Sequence, residues 1–251
     1  MFNYVKAELW KLTQRPALFL TWGILFLLMV VYSVLLSGRE YSNLVAACTV
    51  VLVAGVLVAP LLVLLVDDGA PDTLKHEVAF GLSRTRIYLG KLIAVLLAGL
   101  ALCAILLGAC LIGGWLLLNH SDPEQEWTNL VVLGFSLLGA VPIWCGMAGV
   151  CHMAALAIRN TAVWICGYYI YFFFGQPILL VFVAILFAGN TSSWTATVAE
   201  AVFMPSLLLT PRFLSGWLTW TYQVWCWGVG LGWLAASTAA GLALLKRKDI
   251  R

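Results

Sequence analysis

The chain has 251 residues, 63% of them hydrophobic and 10% charged, with a mean hydropathy of +1.00. That is far more apolar and less charged than a water-soluble domain, and the apolar runs absorb so much of the length that no stretch remains for a soluble core. The net charge of +3 does not mark a nucleic-acid binder, because the cations gather at the ends of apolar runs, where membrane topology requires them.

The first element is an amphipathic helix over residues 1–15, in which Phe2, Val5, Leu9 and Leu12 recur at helical spacing while Asn3, Lys6, Lys11 and Gln14 lie elsewhere on the wheel. It is expected to lie along the inner membrane surface. A cleaved secretory leader is not expected: the apolar run that follows exceeds a leader's length and ends in LLSGRE, with no small-residue cleavage site.

Six apolar segments are each long enough to cross a bilayer core, which takes about 20 helical residues. They cover 17–36, 44–66, 92–118, 130–157, 162–188 and 217–245. Six crossings put both termini on one side. That side holds Lys6, Lys11, Arg15, Lys75, Arg84, Arg86, Lys91, Arg159, Lys246, Arg247, Lys248 and Arg251, leaving only Arg39 and Arg212 opposite. The positive-inside rule therefore places both termini in the cytoplasm of a multi-pass cell-membrane protein.

Between the second and third segments the sequence reads TLKHEVAFGLSRTRIYLGKL. Pro71 and Asp72 start a short helix, Leu74 and Val78 give it an apolar edge, and Gly81 stops it. Ser83 can cap a second helix that carries Arg84, Arg86 and Lys91 into the third crossing. Topology explains that basic collar. It does not explain the mixed-charge helix over 72–80, which a docking surface for a cytoplasmic partner does.

Further along, 119–129 is a short acidic outer loop with Asp122, Glu124 and Glu126. Apart from Arg159 at an inner end, no Asp, Glu, Lys or Arg lies inside the six segments, which disfavours ion-coupled transport. Paired carboxylates, H-E-x-x-H and a matched Ser and His are lacking too, so no enzymatic chemistry is expected. His152 reads as a polar contact between helices. Gly134, Gly139, Pro142, Gly146 and Gly149, with Gly175 and Pro177, allow close approach and bending. YYIYFFFGQP at 168–177 can pack against lipid or line an amphipathic path, with Tyr168, Tyr171 and Phe172 as candidates. The segment 189–216 is apolar but broken by Pro205 and Pro211; short re-entrant outer helices that bring Phe203 and Leu207 to the same path would explain it, as would an ordinary amphipathic surface loop. The seven cysteines, Cys48, Cys103, Cys110, Cys145, Cys151, Cys166 and Cys226, sit in apolar runs with no C-x-x-C pair and read as small hydrophobes, not as bridges or metal ligands.

Taken along the whole chain, the amphipathic FNYVKAELWKLTQRP, six crossings, a short helix followed by GLSRTRIYLGK, and a broken segment before the last crossing resemble the type-2 ATP-binding-cassette exporter permeases, including the small bacterial permeases of bacteriocin and lantibiotic immunity. The resemblance implies an all-α integral membrane fold in one permease domain over 1–251. It also implies a coupling segment at 72–86 that docks into a groove on a separate ATPase subunit through Leu74, Lys75, Glu77, Val78, Phe80, Arg84 and Arg86. No cofactor is implied for this chain: ATP would be bound by the partner, since LLSGRE lies on the wrong side for a signature loop and the sequence has no phosphate loop. A second permease copy or paralogue and membrane lipids complete the implied partners, with an antimicrobial peptide, lipid or drug as cargo. The reading from another class is a non-transporting immunity or interaction protein that binds a toxin or tethers a partner.

Overall fold

The computed structural model describes residues 1–67, 77–79, 81–158, 160–186, 193–209 and 219–247. They form helices α1 (Phe2–Thr13), α2 (Pro16–Ser37), α3 (Tyr41–Val51), α4 (Ala54–Val66), α5 (Arg84–Leu117), α6 (Pro123–Ala157), α7 (Thr161–Leu186), α8 (Ser193–Val202), α9 (Ser206–Leu209) and α10 (Trp220–Arg247). Among the described residues there is no strand, only an isolated bridge between Glu40 and Asn119.

Helices α2, α5, α6 and α10 are each long and apolar enough to cross a membrane, and α3 with α4 make a fifth candidate, bent by 56°. Helix α7 occupies the place of the remaining expected crossing, with a shorter apolar stretch over Thr161–Gly175. This is the architecture of a multi-pass membrane protein. Helix α2 makes the point most clearly: it is apolar around its whole circumference, yet Leu20, Leu27, Leu28, Val34 and Leu35 face outward, which water would not tolerate and lipid does.

Helix α6 is the centre of the fold and packs along α10, α3 and α4. Small residues set the α6–α10 distance. A Cβ at Gly230 of α10 would overlap the Pro142 carbonyl of α6, one at Gly146 would lie 2.8 Å from the Gly230 carbonyl oxygen, and one at Gly149 would lie 2.6 Å from Ser237 Oγ. Gly139 holds the Gln223 amide, whose Nε2 donates to the Phe135 carbonyl at 2.8 Å. Gly134, expected to serve the same purpose, faces open space.

The second crossing, expected as one helix over 44–66, is broken at Leu52 and Val53. Pro60 has no N–H for the Val56 carbonyl four residues earlier, and its ring crowds that turn. Tyr168 Oη of α7 donates to the Val56 carbonyl at 2.6 Å, Tyr169 Oη donates to Leu57 at 3.0 Å, and Trp144 Nε1 of α6 donates to Leu52 at 3.1 Å. The Trp144 indole fits because residue 55 is glycine, where a Cβ would come within 2.5 Å of it. A helix break inside an apolar layer persists when neighbouring helices satisfy the freed carbonyls in this way.

Helix starts follow local chemistry. Ser83 Oγ accepts from Arg86 N at 3.4 Å, as expected, so α5 begins eight residues before the predicted crossing. Helix α6 begins at Pro123, where the sequence reading has a loop. Asp122 caps it by accepting from Gln125 N at 3.1 Å, Pro123 occupies the first helical position, and Glu124 and Glu126 lie in the first turn. LLSGRE ends α2 with Gly38 and Arg39 in the left-handed region, φ 54° and 71°.

A buried charge cluster at the candidate site

Helix α1 is amphipathic along the stripe of Val5, Leu9 and Leu12, with Leu9 packed against the core, but Phe2 departs from that stripe and Glu8 joins it. It turns Val5, Glu8 and Leu12 toward the protein, while Phe2 and Trp10 face outward. A glutamate on the buried face needs a cationic partner, and Lys11 one turn along supplies it at 2.8 Å. Helix α1 sits close to α5 because position 90 is glycine: the Tyr4 ring occupies the space a Cβ there would fill.

The cluster extends from this pair. Lys11 Nζ also lies 3.7 Å from Glu77, Glu77 lies 3.9 Å from Lys91 Nζ, and Lys91 donates to Asp67 Oδ1 at 3.2 Å. The side chains of Glu8, Glu77 and Lys91 are 3%, 11% and 9% exposed, so the Lys91 pairs are desolvated contacts, while Lys11, 46% exposed, reaches the buried carboxylates from the water side. Four separate pieces of chain are joined: α1, the end of α4, the described turn 77–79, and the first turns of α5. Tyr4 lies beside Glu8 and Glu77; burial first, then the two carboxylates, push its phenol above the ordinary tyrosine range. Two arginines complete this end of the bundle by capping helices from outside: Arg15 Nη1 donates to the Leu65 carbonyl at 2.7 Å and Arg84 Nη1 to the Leu245 carbonyl at 3.0 Å.

Of the residues expected to dock a partner, Glu77 is therefore buried between Lys11 and Lys91, and Arg84 closes the C-terminal end of α10. Val78 is half-buried and Arg86 exposed. Gly81, at φ 82°, ends the turn, with its N–H on the Val78 carbonyl. Leu74, Lys75 and Phe80 lie outside the described residues, as do most of the short helix over 72–80, Arg159, and the flanks of the 189–216 segment.

The aromatic candidates form a second group, packed rather than open. Tyr168 and Phe172 are buried, Tyr168 holding the Val56 carbonyl. Tyr171 stacks on Phe203 at 4.9 Å and donates to the Val202 carbonyl at 3.3 Å. Phe203 and Leu207 are 2% and 0% exposed. Trp233 Nε1 of α10 ties α8 by donating to the Ala201 carbonyl at 2.7 Å, and Tyr222 Oη donates to that of Leu207. Beside them an apolar groove of about 370 Å³ runs between Ala201 and Trp225, Gly228, Gly232, Trp233 and Ala236 of α10.

At the opposite end of α5 is a cage that sequence reading missed. His120 Nδ1 lies 3.0 Å from both carboxylate oxygens of Glu126, and Nε2 lies 3.0 Å from the Trp115 carbonyl. The ring also packs on Trp115 and Tyr41, at 4.3 and 5.2 Å between centroids. With an acceptor at each nitrogen, the doubly protonated ring suits the cage best. The Glu126 hydrogen bond, then the Trp115 carbonyl, raise the pKa of His120 above 6.5. Ser121 Oγ donates to Glu40 at 2.5 Å and Asn129 Nδ2 to the Ser42 carbonyl at 2.8 Å, which fastens this corner to α3. His and Glu six residues apart gave no periodic signal; the helix-start signature at Asp122–Pro123 would have put Glu126 on a first turn within reach of His120.

Among the described residues, no three His, Cys, Asp or Glu side chains converge on a point where a metal ion would sit. Both notable polar clusters lie at the ends of the long helices and join elements together. Neither a protein-family profile nor a curated protein sequence matches the chain.

Proposed function

We propose that the chain is the permease subunit of an ATP-driven exporter of the type-2 ATP-binding-cassette kind, moving or expelling an amphipathic substrate with a separate ATPase. The crossings in this reading are α2, the broken α3–α4 pair, α5, α6, α7 and α10, with both termini cytoplasmic. Helix α1 lies at the inner surface, and α8 with α9 forms a re-entrant outer element before the last crossing.

The observation that carries the reading is the position of Glu77. It belongs to the coupling segment 72–86 and pairs with Lys11 of α1 and Lys91 of α5. Force applied to Glu77 by a closing ATPase would reach α5 through Lys91 and α1 through Lys11. Val78, half-buried beside Glu77, would contribute to the docked face. The chain itself carries no hydrolytic chemistry in this scheme.

Purification of the tagged chain from its native membrane tests the proposal. The expected result is a stoichiometric ATPase subunit, lost in Val78→Asp while membrane insertion persists, because an unpaired carboxylate in a docking groove costs several kcal/mol. An ATPase-free chain that still protects cells from an antimicrobial peptide would refute it in favour of a non-transporting immunity protein. Orientation is read separately: Ser121→Cys should label from outside and Asn160→Cys only after permeabilisation.

A further inference from the structure

Helices α2, α3 and α5 meet at three small polarisable side chains. Cys48 Sγ of α3 lies 3.9 Å from Cys110 Sγ of α5, and Ser33 Oγ of α2 lies 3.4 Å from the same Cys110 sulfur. Cys48, Ser33 and Cys110 are 1%, 5% and 8% exposed, and all seven cysteines are free thiols. A single buried thiol is an inert hydrophobe. Two in contact are one two-electron oxidation away from a covalent bond.

The surroundings select that reaction over metal capture. A monovalent soft cation held by two thiolates would leave a net negative charge among apolar side chains, which is costly, and a divalent one would find no third His, Cys, Asp or Glu among the described residues. A disulfide is neutral and removes two S–H groups. We propose that Cys48 and Cys110 form an oxidisable dithiol that a hydroperoxide converts to a disulfide joining α3 to α5.

The Ser33 hydroxyl, 3.4 Å from Cys110 Sγ, donates to that sulfur once it carries negative charge, which makes Cys110 the attacking sulfur. Its attack on the peroxide breaks the O–O bond; the leaving oxygen takes the thiol proton and departs as water or an alcohol, and Cys110 becomes a sulfenic acid. The Cys48 sulfur then displaces the sulfenic hydroxyl, which leaves as water with the Cys48 proton. Two thiols and one hydroperoxide thus give one disulfide, one water, and one further water or alcohol. Cys48 lies one helical turn before the break at Leu52, so the new bond would pin the α3 half of the bent span to α5 and leave α4 to move against it. The site is independent of the exporter reading.

The test uses the full chain in lipid nanodiscs, with Cys166→Ser to remove an exposed thiol. The protein is treated with hydrogen peroxide or cumene hydroperoxide, denatured, alkylated and mapped by mass spectrometry. The expected result is loss of two thiols, located in a reductant-sensitive Cys48–Cys110 peptide pair. Faster loss with cumene hydroperoxide assigns the membrane as the oxidant's source, and faster loss with hydrogen peroxide assigns the water phase. Cys48→Ser should stop at a dimedone-reactive Cys110, and Ser33→Ala should reach the same disulfide more slowly. Retention of both thiols, or a disulfide mapped to another pair, overturns the proposal; mapping of the parent protein decides the matter even if the Cys48 variant fails to fold.

Discussion

Lys91→Met tests the charge cluster most directly, since it keeps the length of the side chain and removes only the cation. At an effective dielectric constant of about 20, Lys91 attracts Asp67 at 3.2 Å by roughly 5 kcal/mol and Glu77 at 3.9 Å by roughly 4 kcal/mol before desolvation is counted. Desolvating the ions offsets most of this, so the native cluster adds little net stability. Removing one partner is different, because Asp67, 17% exposed, is then left without a cation and Glu77, 11% exposed, keeps only Lys11 at 3.7 Å. Cost in such cases is about 3–5 kcal/mol, and the residual exposure places this variant near 3 kcal/mol. Thermal unfolding in a mild detergent, or steric trapping in bicelles, reads the difference. A triple variant, Lys91→Met with Asp67→Asn and Glu77→Gln, should recover most of the loss, since it removes the stranded charges as well. If Lys91→Met unfolds within about 0.5 kcal/mol of the parent, a difference typical of an unstructured surface site, the cluster is solvated and the mechanical argument built on it fails.

Tyr168→Phe should destabilise by about 1–3 kcal/mol by stranding the Val56 carbonyl that Pro60 leaves without an N–H, whereas Tyr169→Phe, at a half-buried site, should cost less in the same unfolding assay. Gly230→Ala should cost about 1–3 kcal/mol or more through overlap with the Pro142 carbonyl, while Gly232→Ala, with nothing near its Cβ position, should match the parent. Because the folded-state pKa of His120 is raised above 6.5, its contribution is fully present below pH 6.5 and is lost as pH rises through the folded value. Melting temperature measured across pH 5 to 8 should therefore fall at the upper end for the parent relative to Glu126→Gln; parallel curves would refute the cage.

What the sequence made legible is what depends on near neighbours along the chain. Apolar length gave the long helices, because a bilayer demands it of each segment separately. Ser83 and Gly81 gave a helix start and a turn end, because capping is a matter of three or four residues. The break at Leu52 escaped: Gly55 and Pro60 were visible, but the donors that hold it, Trp144, Tyr168 and Tyr169, come from about a hundred residues away. For the same reason the sequence does not reveal that the Tyr168 hydroxyl donates to the backbone of α4. The charge cluster has no local signal, since only the fold brings Glu77 and Lys91 to the Glu8–Lys11 pair of α1. The start of α6 was missed although its local signature, Asp122–Pro123 with two glutamates, was present.

Between α6 and α10 the chain meets main chain to main chain at Pro142 and Gly230. Helices separated by layers of side chains can change rotamers and slip past one another by small steps; here no such layer exists to absorb a step. The pair is a keel. In an exporter the moving parts would be helices that ride on it, and α2, whose outward face is apolar and which is joined to α3 by the left-handed turn at Gly38 and Arg39, is one of them.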